Sequence, residues 1–434
     1  MDRSGSQSAA SAASELADSR GFVGPISDAH DHGNTDEKNT SKAKDSNGFF
    51  SKVSLCIATV LPPGGIAASA FNMASTTLGG GIIGMPAATN SSGLVMGLFY
   101  LMLISSVTVF TMHNLSIAAE RTNTHTFEEV TRVLLGRGAA YILAAIRAFL
   151  GFSACVAFVI SLGDIMSSIL NGTNAPDFWK EKSGNRVLTV IVWACLNGLP
   201  ENIKSVSVGK SDTAEIILFN TGNKAIEGLG VFMFAFISQV TAYEVYVDMK
   251  DRSVRKFVIA ATVANALCFV LYALTAFFGY MDFGRDVTGS ILLMYDPVNE
   301  PEMMVAMVGI LVKLCVSYAL LAMALRNSLY SIVGVTADKL PFWKHCVTVL
   351  VLSGIILLLG LFIPKINTVF GFAGSITGGS LGFIFPALLV MYSGDFTWQK
   401  VGPAYYIATY LLLAGGVFVI VFGTGATIWG AAVG

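Results

Sequence analysis

Nine stretches of this chain are long and apolar enough to cross a bilayer as helices, and nothing else in it limits the fold as strongly. They run over 66–88, 93–118, 139–170, 225–247, 257–280, 303–325, 346–364, 367–391 and 405–429. A hydrocarbon core about 30 Å thick takes about 20 apolar residues, because backbone polar groups in lipid must be satisfied within the segment. Charged residues make up 13% of the 434, against roughly 25% in an average soluble protein. The polar shell of a water-soluble globule is therefore missing. The expected fold class is an all-α polytopic membrane protein, with the lipid bilayer as its first partner.

The loops supply an orientation. The connection 119–138 carries Arg121, Arg132 and Arg137; 248–256 carries Lys250, Arg252, Arg255 and Lys256; 326–345 carries Arg326, Lys339 and Lys344. The connection 281–302 is mostly acidic. Lys and Arg collect in cytoplasmic loops, so this pattern predicts a cytoplasmic N-terminus and nine crossings. The apolar run Val187–Leu199 has only 13 residues, interrupted by Asn197. Its reach of roughly 20 Å as a helix leaves it short of a full crossing. It is expected as an interfacial or partly inserted piece of a long external connection, 171–224, where Asn171 is the one glycosylation sequon with room for a glycan.

Residues 1–48 are rich in Ser, Ala, Asp, Gly and Asn without apolar periodicity, which predicts a disordered cytoplasmic tail. No apolar run follows a basic start there, so no cleavable leader is expected. Residues 49–65 read as an interfacial segment closed by Pro62-Pro63-Gly64-Gly65, and 66–434 as the transmembrane domain. A net charge of −1 without a basic stripe excludes a binder that neutralises nucleic-acid phosphates. The six cysteines form no C-x-x-C pair, and no catalytic constellation lies at membrane depth. Neither an enzyme nor a metal or other cofactor is expected.

Three features at membrane depth invite a functional reading. The first span runs from Asn72 through Thr76 to Gly79-Gly80-Gly81 and Pro86. Adjacent glycines and a proline disfavour a continuous helix. A break there would bare N–H groups carrying about half a positive charge, suited to a carboxylate. Close helix packing through Gly80 and Gly84 is the plainer alternative. A second candidate break lies in 225–247, where the aromatics Phe232, Phe234 and Phe236 give way abruptly to Ser238, Gln239 and Thr241. Third, Lys313 sits ten residues into its span, where a lysine costs roughly 2.5–3.5 kcal/mol on insertion scales. It needs a cavity, an acid or backbone carbonyls. Glu244, Glu227, Arg147 and Asp164 lie nearer span ends and could reach interfacial water. The glycine run 371–382 suits helix packing better than a site.

The run from Pro62 through Ala70-Phe71-Asn72 and Gly79–Pro86 to Ser92-Gly93 resembles the amino acid/auxin permease family, most nearly the amino acid permeases of trypanosomatid parasites. Thr126–Val130 with Gly136 resembles that family's loop after the second span, and Gly222–Gly228 with Phe232–Gln239 its sixth span. The resemblance implies an inverted-repeat bundle of eleven spans that carries amino acids by alternating access, commonly with protons and without a bound cofactor. It implies that the Gly79–Gly81 backbone receives the substrate carboxylate and that the Phe234–Gln239 region meets the amine and side chain, so the substrate-binding candidates are Asn72, Thr76, Gly79, Gly80, Gly81, Phe234, Phe236 and Gln239. Lys313 and Glu244 are the ion-pair or coupling candidates, with Lys313 replacing a bound cation. The chain departs from the family in one place. Arg186–Ala194 resembles the start of a fourth span and Cys195–Lys204 the exit of a fifth, with the middle missing. The expected activity is proton-coupled, sodium-independent amino acid transport in the plasma membrane, or in an organellar one. A non-transporting sensor or truncated paralogue that keeps the binding motifs is the alternative.

Overall fold

A computed structural model of the chain describes residues 62, 64–172, 189, 216–220, 222–287, 289–295, 301–333, 341–363 and 365–433. The tail 1–48, nearly all of 49–65 and all of 187–199 except Thr189 lie outside the described residues. Regular structure among the described residues is entirely helical.

The first expected span is two helices, α1 (Ile66–Thr77) and α2 (Gly81–Ser92), each 12 residues long and too short to cross alone. Next come α3 (Leu94–Thr122) and α4 (Phe127–Gly172). A second interrupted pair follows, α5 (Asn223–Ala235) and α6 (Gln239–Asp248), and then α7 (Val254–Phe283) and α8 (Pro301–Val333). The chain ends with α9 (Phe342–Phe362), α10 (Ile366–Tyr392) and α11 (Pro403–Ala432). With α5 and α6 counted as one run, eight helices among the described residues have the length and hydropathy of a crossing. The α1–α2 pair completes the nine segments expected from sequence.

Two local corrections concern α4. The connection 119–138 is not all loop, since the helix begins at Phe127. Thr126 caps it: the Glu129 amide donates to Thr126 Oγ1 at 3.1 Å, and Glu129 Oε2 accepts from the His125 amide at 2.9 Å. Gly136, at φ 89°, then kinks the helix before the span proper. Asn171 lies in the last turn of α4 rather than in a loop.

Lipid tails are as apolar as leucine, so membrane helices associate through close packing and hydrogen bonds rather than a hydrophobic driving force. The glycines follow that logic. In α10, which is 78% buried over its most apolar window, the stretch Gly374–Ile384 is π-helical. Gly374 lies directly against the Gly230 backbone of α5, Gly378 against Met233, and Gly379 against Ile420 and the Gly416 carbonyl of α11. The packing reading of the glycine run is the one observed. At the other extreme α9 is only 11% buried, and Leu350, Val351, Leu358 and Phe362 face outward as a lipid-facing wall should.

Candidate functional site

The two interrupted helices meet at their interruptions. Helix α1 ends at Thr77; Leu78 turns to ψ 64°, its amide donating to Ala74 O at 2.9 Å, and the Gly79 amide folds back onto Thr77 O at 2.7 Å. The amides of Gly80 and Gly81 donate to no acceptor among the described residues. Of the three glycine amides expected to be bare, two are. None of the three glycines has a positive φ, so left-handed freedom is not why they are glycine. Space is the reason for two of them. A Cβ on Gly80 would stand 2.8 Å from the Phe158 ring, and one on Gly81 would stand 2.8 Å from Ala235 Cβ and 3.0 Å from its Cα. At Gly79 nothing lies nearer than 3.8 Å. Close packing and helix breaking, alternatives on sequence, occur together.

On the partner side, α5 closes with Phe236 and Ile237 amides bonded three residues back, to Met233 O and Phe234 O. Gln239 opens α6 by accepting the Ser238 amide on Oε1 at 3.1 Å, while its Nε2 donates to Thr111 Oγ1 at 3.3 Å. Both ends of the Gln239 side chain are thus engaged within the protein. Phe234 stacks on Phe370 of α10 with centroids 4.6 Å apart, and Phe236 stands edge-on to Tyr272 of α7 at 5.3 Å.

Tyr272 is the residue sequence reasoning missed. Fully buried, its hydroxyl reaches Thr77 O at 2.5 Å and Ala235 O at 3.1 Å, the last carbonyls of α1 and of α5. A helix leaves its final carbonyls without intrahelical donors, and one phenol serves both ends. Phe158 and Phe370, which wall Gly80, were also not singled out.

Lys313 on α8 donates to Leu78 O, inside the break, so the expected backbone-carbonyl partner is the one found. Asn72 and Thr76 lie on an exposed face of α1 together with Ser75, and Thr76 Oγ1 donates back to Asn72 O and Met73 O at 3.0 Å each. Glu244 is not at the crossing. It sits at an exposed position of α6, 3.8 Å from Arg147 Nη2, while Arg147 Nη1 binds Glu128. With its carboxylate in contact with solvent and 3.8 Å from the guanidinium, this pair contributes under about 1 kcal/mol. Glu244→Gln is accordingly expected to change thermal stability in detergent by no more than a degree or two, and a large loss would mean the pair is buried in the membrane.

These features define an integral membrane bundle in which two broken helices cross at their breaks. The chain belongs to the transmembrane amino acid transporter family, whose model matches residues 63–209 and 189–429. The two matched stretches share 189–209. Amino acid transporter AVT6E of Arabidopsis thaliana is 22% identical over 373 residues, 76% of each chain. Sodium-coupled neutral amino acid symporter 2 of Danio rerio is 23% identical over 417 residues, 81% of each chain. The family is one of amino acid transporters, not of enzymes.

Proposed function

We propose that this protein carries amino acids across the membrane by alternating access, with the substrate carboxylate held on the unpaired amides of Gly80 and Gly81. The carrying observation is that these two amides lie bare at the point where both broken helices meet. Non-helical backbone at that depth is tolerated only where it is buried in protein or lines an aqueous cavity. The positive end of α2 favours an anion there. Phe234 and Phe236 supply apolar surface for the substrate side chain. Gln239 orients the second break, and Asn72 and Thr76 with the open edge of Gly79 line the approach along α1. The N-terminus is cytoplasmic and the membrane is the plasma membrane.

The Lys313 ammonium donating to Leu78 O places a fixed positive charge where a bound cation would otherwise meet a free carbonyl. This supports sodium-independent transport with protons as the coupling ion, in contrast to the coupling named for the Danio rerio relative. Uptake of tritiated amino acids into a transport-deficient host is expected to be saturable, stimulated by external acid, and unchanged when choline replaces sodium. Lys313→Ala is expected to lower uptake at least tenfold; undiminished activity would remove the cation-replacement reading.

The departure at Arg186–Lys204, where the middle of two spans is missing from the sequence, favours one second reading, a sensor that binds without moving its ligand. Thermal stabilisation by an amino acid with no flux for any of a full panel would select it.

A further inference from the structure

An open groove lies where α8 ends and α9 begins. Both helices pack on α4 and have little contact with each other among the described residues. The apolar span of α8 ends at Tyr330 and that of α9 begins at Trp343, so the two aromatics mark the level where hydrocarbon gives way to headgroups. Between them is a cavity of about 450 Å³, within the roughly 300–1,000 Å³ of ordinary ligand pockets. Leu329 and Val333 form one wall, Trp343 and Val347 the other.

The walls are apolar and the charge at this level is positive. Among the described residues that line the groove, Lys344 is the one charged side chain, its ammonium 5.6 Å from the centre of the Trp343 ring. One turn before Tyr330 on α8, Arg326 bridges the helices: its Nη1 donates to His345 Nε2 at 3.0 Å, and the other ring nitrogen of His345 meets the Tyr330 hydroxyl at 3.4 Å. Arg326 also donates to Asn327 Oδ1 at 3.0 and 3.2 Å. These acceptors are a ring nitrogen and an amide oxygen. No carboxylate lies within 4 Å of Arg326 or Lys344 among the described residues. An apolar trough at headgroup depth with a cation at its mouth and no acid in its wall matches a ligand with an anionic head and a hydrocarbon tail.

We propose that this groove holds an anionic phospholipid of the surrounding bilayer, its phosphate on Lys344 and the first methylenes of one acyl chain between Val333 and Val347. A phosphate without a tail would leave the exposed Val333, Trp343 and Val347 uncovered. A second copy docked face to face would set the same cations against each other. Basic pockets between membrane helices on the cytoplasmic side suit lipid headgroups, and under the orientation proposed above this end is cytoplasmic. The site is independent of what the crossing carries.

The test is lipid titration of the full chain in detergent, read by native mass spectrometry, with dioleoyl phosphatidylglycerol against dioleoyl phosphatidylcholine. The first phosphatidylglycerol is expected to bind about fivefold more tightly, the gain one basic residue gives near a headgroup. Lys344→Gln is expected to bring the two lipids within about twofold of each other. Arg255→Gln removes an equal charge at the start of α7, on the same side of the bundle, and is expected to keep the preference. Val347→Trp fills the groove and is expected to weaken the first binding of both lipids at least about threefold. All three positions are exposed, and a gel-filtration profile matching wild type checks folding. Equal affinities in wild type, a preference that survives in Lys344→Gln, or displacement of the lipid by millimolar glycerol phosphate would overturn the site. A dimer of the wild type that Val347→Trp dissociates would also overturn it and give the groove to a second copy.

Discussion

Gly81→Val is expected to reduce amino acid uptake at least about fiftyfold, to near background, while the protein still reaches the membrane. The added side chain has nowhere to go: its Cβ alone would lie 2.8 Å from Ala235 Cβ and 3.0 Å from the Ala235 backbone. Backbone cannot rotate aside as a flexible side chain can, so the two broken helices must separate. Overpacking of this kind costs about 1–3 kcal/mol in stability. The functional cost is larger, because a displacement of about 1 Å at a positioning site can lose about a hundredfold in rate. Gly79→Ala is the matched control. Its Cβ would meet nothing nearer than 3.8 Å and its φ is not positive, so uptake is expected within twofold of wild type. Tritiated uptake normalised to surface protein separates the two, and equal activity in both variants would mean the crossing is not tight.

Tyr272→Phe carries the second large effect. It deletes one oxygen and leaves the ring, including its edge contact with Phe236, in place. The hydroxyl is the donor shared by Thr77 O and Ala235 O, and no other donor to Ala235 O is found among the described residues. Leaving such a buried acceptor unsatisfied costs about 1–3 kcal/mol. Because that cost falls on the join between the two breaks, maximal uptake is expected to fall about tenfold. Tyr280→Phe on the same helix removes a hydroxyl that accepts from the Ile217 amide at 2.8 Å, away from both breaks, and less than a twofold change is expected. A Tyr272→Phe protein with the uptake of wild type would show that the shared hydroxyl does not hold the crossing together.

Both breaks were legible in the sequence for a physical reason. Three adjacent glycines weaken a helix wherever they occur, and an abrupt change from Phe236 to Ser238 and Gln239 marks where apolar packing stops. Lys313 was legible through its insertion cost, which demands a partner, and Leu78 O is that partner. The cap at Thr126 and Glu129 is equally local, a Thr with Glu three residues on, and was open to reading. Tyr272 was not. Within an apolar helix it looks like any aromatic, and its meaning lies in two carbonyls, one of them 195 positions away in the chain. Periodicity tells which face of a helix is buried but not which backbone it meets.

Electron cryomicroscopy of the protein in nanodiscs, with a transported amino acid at saturation, bears most directly on whether the glycine amides hold the ligand. The expected map has a helix interrupted between Thr77 and Gly81 and a carboxylate oxygen about 2.7–3.2 Å from the Gly80 or Gly81 nitrogen. A continuously hydrogen-bonded helix through Leu78–Ile82, or a ligand seated with its carboxylate away from those amides, would contradict it.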